Sequence, residues 1–435
     1  MSGASTLASC LERLSWSPDR LAREVNKTCG ENTISIKAPY NWLKGSLPRH
    51  GLPQVVAEIL SQRLGEPISV RDLWPDKFGH EKPEKFSPST QSSSVTELVP
   101  PSAQEMVNAA VDWLVGDDPP LDGQLRGEEI TPQILTVLDA RTTQLRQLDD
   151  EQSGRVVLDW AVQELRWARK LAADGSYDRE MGRRLHQAIA QLAQLAGWIA
   201  ADIGRHDHGR RYLLGALRSA RTSGDRALAA HVISCLSYHS TWVGQGREAL
   251  RLAQIARKGV EGTAASRGQA LLASRQARAY AVLGDVEGCL AALGEGEQLM
   301  ESGGAADGPS WSYWITPAVL VADAGRALLD LGRIDQAERQ LICGIELFGN
   351  TQPRNRLLHW TSLAEARLAR GAIDEAAAAA AEALGLYEQV TSQRARARLA
   401  ALQYRFADCD TLVARQMSQR ITLLLKEARP LASCT

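Results

Sequence analysis

Apolar residues recur at three- and four-residue intervals along most of this chain, and no stretch alternates convincingly with period two. That spacing puts apolar side chains on one face of a 3.6-residue turn, so it predicts helices and an all-α protein. A first helix is expected over 6–14. Ser17-Pro18-Asp19 supplies a cap and a first-turn proline for a second helix, with Leu21, Ala22 and Val25 inward. Cys29-Gly30-Glu31-Asn32 reads as a turn, and a short helix follows from Ser35 or Lys37 to Lys44, stopped by Gly45 and Pro48. An amphipathic helix over 52–64 has Val55, Val56, Ile59, Leu60 and Leu64 on one side, and Gly65 closes it.

The pattern fails next. Lys82-Pro83, Ser87-Pro88, a Ser/Thr/Gln run and Pro100-Pro101 cannot bury enough apolar surface to fold. We therefore expect a domain over 1–80, a flexible linker over 81–103 and a second helical domain over 104–435. In the latter, helices are expected over 103–115, 131–148, 153–173 and 178–203, with Gly116-Asp-Asp-Pro-Pro120 as a break after the first. The last two, over 392–406 and 411–428, should cap the array.

Five glycines give the second domain a ruler: Gly204, Gly244, Gly284, Gly332 and Gly371, spaced by 40, 40, 48 and 39 residues. Seven residues before each stands a small residue (Gly197, Ser237, Ala277, Gly325, Ala364). Small residues recur five residues after (Gly209, Ala249, Cys289, Ala337, Ala376) and twelve after (Ala216, Ala256, Gly296, Gly344, Ala383). A glycine can end a helix with φ > 0, and small residues at fixed offsets let antiparallel helices approach closely. One such pair cannot bury its apolar face alone, so the pairs stack. The register resembles the tetratricopeptide repeat, best in Gly332-Arg-Ile-Asp-Gln-Ala337 and Gly371-Ala-Ile-Asp-Glu-Ala376. The resemblance implies a tetratricopeptide-like α-solenoid. The period exceeds the usual 34 or so residues, so longer helices or loops must take up the difference.

Six residues before each turn glycine, side chains should face the concave side: Trp198, Tyr238, Arg278, Arg326 and Glu365, with His231, Trp242 and Arg275 as neighbours. Aromatics mixed with arginines suit a peptide, an acidic group or a planar ligand. Trp198 and Trp242 have a second reading as inter-helix packing. Repeats that bind peptides often carry Asn in this row, and none stands here. The 48-residue spacing hides an insert over 303–317 with Trp311-Ser-Tyr-Trp314, either a loop over the groove or a structural plug. His206-Asp207-His208 has no third ligand nearby in sequence and reads as a polar turn.

Composition narrows the rest. A net charge of −1 gives the 435-residue chain no overall bias toward nucleic acid or membrane. No apolar run is long enough to span a bilayer and no signal-peptide layout stands at the start, so a cytoplasmic protein is expected. The seven cysteines never form Cys-x-x-Cys, which argues for reduced thiols and no zinc site. No phosphate-binding loop, nucleophile elbow or zinc-protease motif occurs, so we expect no enzyme and no cofactor.

Residues 1–80 differ from the remainder: they hold ten Lys/Arg against eight Asp/Glu, and six of the nine lysines lie before residue 86. Their helix order is that of a helix-turn-helix. Trp42-Leu-Lys-Gly45 followed by Pro48, with Leu21-Ala22 upstream, resembles phage-repressor-like (XRE-type) regulators, although about seven extra residues lengthen the turn. In a major groove Ser35, Lys37, Asn41 and Lys44 would read base edges, and Arg20, Arg23, Lys27 and Arg49 would hold phosphates. Trp42 is assigned to the core, and Tyr40 suits either role.

The whole chain resembles actinobacterial helix-turn-helix regulators with C-terminal tetratricopeptide-like repeats, most closely in Gln191-Leu-Ala-Gln-Leu-Ala-Gly-Trp-Ile-Ala-Ala-Asp-Ile-Gly204 and Ala322-Asp-Ala-Gly-Arg-Ala-Leu-Leu-Asp-Leu-Gly332. Its layout is similar to that of Gram-positive quorum-sensing regulators, in which a peptide in the groove controls DNA binding. The resemblance implies a homodimeric regulator of development or secondary metabolism, bound to double-stranded DNA and gated by a ligand, peptide or protein. The rival expectation is a scaffold or adaptor whose N-terminal domain binds protein.

Overall fold

A computed structural model describes residues 6–29, 33–44, 46–48, 52–64, 68, 70–74, 101–119, 121–152, 154–262, 265–302 and 308–427. Among them the chain is helical, with two isolated bridges (Gln124 to Tyr177, Glu129 to Ser176) and no strand. The all-α expectation holds. Chain contacts separate two units, Met1–Ser92 and Ser93–Thr435.

The first unit contains α1 (Thr6–Arg13), α2 (Pro18–Cys29), α3 (Ala38–Leu43), α4 (Leu52–Leu64) and α5 (Val70–Leu73). Leu7, Leu11, Leu21, Val25, Trp42, Leu60 and Trp74 share its core, and Trp42 is buried as expected. The helix expected from Ser35 or Lys37 to Lys44 is shorter, with Lys37 and Lys44 as its caps. The long turn before it has a clamp. The Asn26 carboxamide donates to the Ile34 carbonyl at 3.0 Å and accepts from the Ile34 N–H at 2.8 Å. Gly30, Gly45, Arg49, Gly65 and linker residues 81–100 lie outside the described residues.

The second unit opens with α6 (Ala103–Val115), which starts on a capping box between Ser102 and Glu105. A helix pair follows, α7 (Pro132–Gln152) and α8 (Arg155–Asp174). Then come six hairpins. Their inner helices are α9 (Arg179–Asp202), α11 (Arg226–Trp242), α13 (Ser266–Leu283), α15 (Pro317–Asp330), α17 (Pro353–Ala369) and α19 (Gln393–Ala407). Their outer helices are α10 (His206–Ser223), α12 (Gly246–Gly259), α14 (Val286–Ser302), α16 (Ile334–Phe348), α18 (Ile373–Tyr387) and α20 (Leu412–Glu427). Helices of 17 and 18 residues between the turn glycines, such as α10, α11 and α13, take up part of the long repeat period.

The glycine ruler has a physical counterpart throughout. All five turn glycines have positive φ, from +73° at Gly332 to +88° at Gly204. All fifteen small-residue positions are buried. The tightest need for small size is where α15 crosses α16: a Cβ on Gly344 would lie 2.8 Å from the Ala322 backbone nitrogen. Cys289, in one of these slots, is fully buried, and burial pushes its thiol up to about 11, which makes it an unreactive packing residue.

The array curls on itself. Arg354 near the start of α17 reaches Asp149 at the end of α7, 205 residues earlier, at 3.0 Å. Arg394 near the start of α19 lies 2.9 Å from Asp202 at the end of α9 and donates to the Tyr238 hydroxyl of α11 at 2.8 Å. The inner helices therefore surround a central space instead of lining an open trough.

Candidate functional site

Inner helices with wholly apolar faces would collapse together. These carry arginines and aspartates instead, and they hold open a cavity of about 490 Å³, within the usual size range for small-ligand sites. Trp198, Tyr238, Arg278 and Arg326 of the predicted row line it, as do His231, Trp242 and Arg275. Glu365 departs from the expectation. It is buried behind the wall, where its carboxylate accepts from Arg326 at 2.5 Å and Arg398 at 3.0 Å. It anchors arginines and has no free face for a ligand.

The remaining polar wall is a web of ion pairs. Arg275 meets Asp323 at 2.8 Å, Arg278 meets Asp330 at 2.7 Å, and Arg326 meets Asp330 at 2.9 Å. Arg354 donates to both oxygens of Asp149 and sits 3.5 Å from Asp202. Arg394 Nε approaches Asp202 Oδ1 without hydrogen-bond alignment, so charge more than directional bonding holds that pair. Its guanidinium also lies over Trp198, Tyr238 and Trp242, at 5.2, 5.5 and 5.7 Å from the ring centroids. Trp198 and Trp242 thus both line the cavity and pack.

Burial and neighbours pull the charges in opposite directions. Burial pulls the Arg354 guanidinium down, but Asp149 and Asp202 more than reverse this and hold it above its ordinary value. Burial pushes the Glu365 carboxyl up, yet Arg398 and Arg326 bring it below the usual carboxylate range. Burial, followed by the Arg326 charge, holds Arg398 down at about 10.

Residues 303–307 of the insert lie outside the described residues, and its described part, 308–317, does both of the things considered for it. Trp311 is buried and stacks on His231 with centroids 4.3 Å apart and planes 13° apart, as a plug would. Tyr313 and Trp314 line the cavity, and the Tyr313 hydroxyl donates to Asp150 at 2.5 Å.

Histidines give the unit a pH dependence. Burial pushes His239 and His359 down to about 4 and His231 well below its ordinary value. His206 Nδ1 and His239 Nε2 are 3.1 Å apart, so one ring must donate and the other accept. In the unfolded chain these rings titrate near 6.5. Between about 6.5 and about 4 the unfolded chain binds protons that the fold excludes, so stability falls as pH falls through that window. Each of His239 and His359 contributes up to about 3 kcal/mol of this loss. Thermal melts from about pH 7 to about pH 5 should show the decline, and replacing both by Gln should make it shallower, with the contribution of His231 remaining. Among the described residues no group of His, Cys, Asp and Glu could hold a metal ion, and no helix is long and apolar enough to cross a membrane.

In the N-terminal unit Ser35, Lys37, Asn41, Lys44, Arg20, Arg23 and Lys27 are all exposed. Lys37, Asn41 and Lys44 lie on or at the ends of α3, and Ser35 sits in the turn before it. Arg20 and Arg63 flank the Trp16 ring, at 5.1 and 5.9 Å from its centroid, and Arg63 pairs with Glu24.

Sequence reasoning missed Arg146, Asp149, Asp202, Arg354, His359, Arg394 and Arg398. The glycine ruler marks the C-terminal half of each inner helix, whereas Arg354 and Arg394 begin theirs. From Arg354 to Glu365 is about 16 Å along the helix axis. The Arg394/Arg398 spacing of four on an expected helix was the available signal.

Residues 7–73 match a family described as the SP15 N-terminal domain. No curated protein matches the chain. Among solved structures it is similar to a crystal structure of a Podosopora anserina putative kinesin light chain with nearly identical TPR-like repeats. That likeness has 17% identity and a TM-score of 0.34, and covers 47% of this chain and 95% of the other.

Proposed function

We propose that the chain is a sensor-regulator: its repeat unit holds an effector in the central cavity, and its N-terminal unit reads double-stranded DNA. The observation that carries the sensor half is the cavity of about 490 Å³, whose walls combine seven arginines with five Trp and Tyr side chains. A structural filler would not keep that much charge facing an internal space, because even a paired buried ion gains little over well-packed apolar residues of similar volume. An effector that prefers one arrangement of the array shifts the population toward it, and the DNA-reading unit responds.

The DNA half is supported by the exposure of Ser35, Lys37, Asn41 and Lys44 around a buried Trp42. It rests also on the resemblance to XRE-type regulators of actinobacteria, which brings with it a cytoplasmic homodimer and control of development or secondary metabolism. The shortness of α3, six residues, favours a second reading. A recognition helix of that length offers few base contacts, and an adaptor that binds protein needs none.

A mobility-shift titration separates the two. Replacing Lys37, Asn41 and Lys44 together by Ala should cost about 100-fold or more in specific affinity, given about 1–3 kcal/mol for each good base contact. Replacing Arg20, Arg23 and Lys27 should instead weaken all sequences alike and reduce the salt dependence. Specific binding left intact in the first variant contradicts the reader assignment.

A further inference from the structure

Six of the seven arginines lining the cavity have a carboxylate within about salt-bridge distance: Arg275, Arg278, Arg326, Arg354, Arg394 and Arg398. Arg146 differs. Its Nη1 donates to Gln194 Oε1 at 3.1 Å and its Nη2 to the Gln191 carbonyl at 3.4 Å, both neutral acceptors. Its Nε has no acceptor, and it pairs with no carboxylate among the described residues. The side chain is buried at 7% exposure. A guanidinium stays protonated at neutral pH, so this position is a buried cation whose hydrogen bonds go only to neutral dipoles, with Asp149 and Asp150 acting on it at longer range.

A second observation falls on the same wall. His231, 3% exposed, lines the cavity with both ring nitrogens unpartnered. Trp311 stacks on its ring and Trp314, also in the wall, is tilted against it at 5.9 Å. Apolar ring surface, an imidazole without hydrogen-bond partners and a cation without an ion-pair partner thus line the same cavity, and Arg146 is close enough to His231 for its charge to act on the ring. The wider charge balance agrees. The seven lining arginines are opposed by Asp149, Asp150, Asp323 and Asp330 in the wall and by Asp202 and Glu365 behind it, which leaves one positive charge.

We propose that the cavity takes a small organic monoanion with a flat apolar body, its charged group received by Arg146 and its body lying against Trp314 and His231. One negative charge completes the balance, and a ring-shaped body suits an aromatic wall. The single excess charge disfavours a neutral ligand, which would leave Arg146 as it is. This inference rests on reading the cavity as the effector site.

The test uses the full chain and two probes of nearly the same shape, 8-anilinonaphthalene-1-sulfonate, a monoanion, and N-phenyl-1-naphthylamine, which is neutral. Fluorescence titration should give saturable binding of the anion, about tenfold or more tighter than the neutral probe. Arg146→Met should remove most of that preference and leave the neutral probe nearly unchanged. Asp150→Asn should strengthen the anion by about threefold, because it removes a neighbouring negative charge. A merely damaged fold weakens both variants, so the opposite signs separate charge from structure. Trp314→Leu should weaken both probes, which places them in the cavity. Equal affinity for the two probes, or an Arg146→Met variant with the preference intact, overturns the monoanion assignment and leaves the effector-site reading standing. No saturable binding of either probe overturns both.

Discussion

Replacing Arg354 by Met should destabilise the repeat unit by about 3–5 kcal/mol, the usual consequence of removing one partner from a buried ion pair. Arg354 joins α17 to the ends of α7 and α9, and both its partners are nearly inaccessible. Methionine fills much of the volume but leaves Asp149 without its cation, and leaves Asp202 only Arg394. The first transition in a denaturant titration followed by circular dichroism should therefore move to lower denaturant. Adding Asp149→Leu should recover part of the loss, because a well-packed apolar pair removes the orphaned charge. A loss under about 1 kcal/mol for Arg354→Met would place the pair with surface ion pairs and undo the closure argument.

The second large effect belongs to Glu365. Glu365→Leu should cost about 3–5 kcal/mol, because one carboxylate serves two buried guanidiniums. Arg326 would keep Asp330, but Arg398 would keep only the Ser362 hydroxyl. Arg398 is already held down at about 10 with the carboxylate present. Glu365→Gln keeps the shape and most of the hydrogen-bonding atoms, so it isolates the charge. Both variants should melt earlier than the native chain. If the Gln variant melts like the native chain, packing and not charge is what Glu365 supplies.

Local signals carried the array and long-range ones did not. Positive φ at Gly204, Gly244, Gly284, Gly332 and Gly371 is a single-residue requirement, so glycine there is legible. The small residues around each turn report helix crossings within one hairpin, which chain neighbours decide. Curling is different. Arg354 meets Asp149 only because small rotations accumulate over the intervening hairpins. No residue spacing records that sum, so Arg146, Arg354, Arg394 and Arg398 could not be joined to the row that contains Arg278 and Arg326. The N-terminal unit shows the reverse case. Its turn looks merely overlong in sequence, yet Asn26 holds Ile34 by two hydrogen bonds, a contact no spacing announces.

The sensor and reader halves stand on separate observations, and the reader half decides between regulator and adaptor. The most direct measurement is capture of duplex DNA from a randomised pool by the full chain, through repeated rounds with sequencing. A DNA reader should enrich one shared sequence, and a symmetric dimer should enrich it as two half-sites about 34 Å apart along the duplex. The variant with Lys37, Asn41 and Lys44 replaced by Ala should enrich nothing. A pool that stays random after capture by the native chain contradicts DNA recognition and leaves the adaptor.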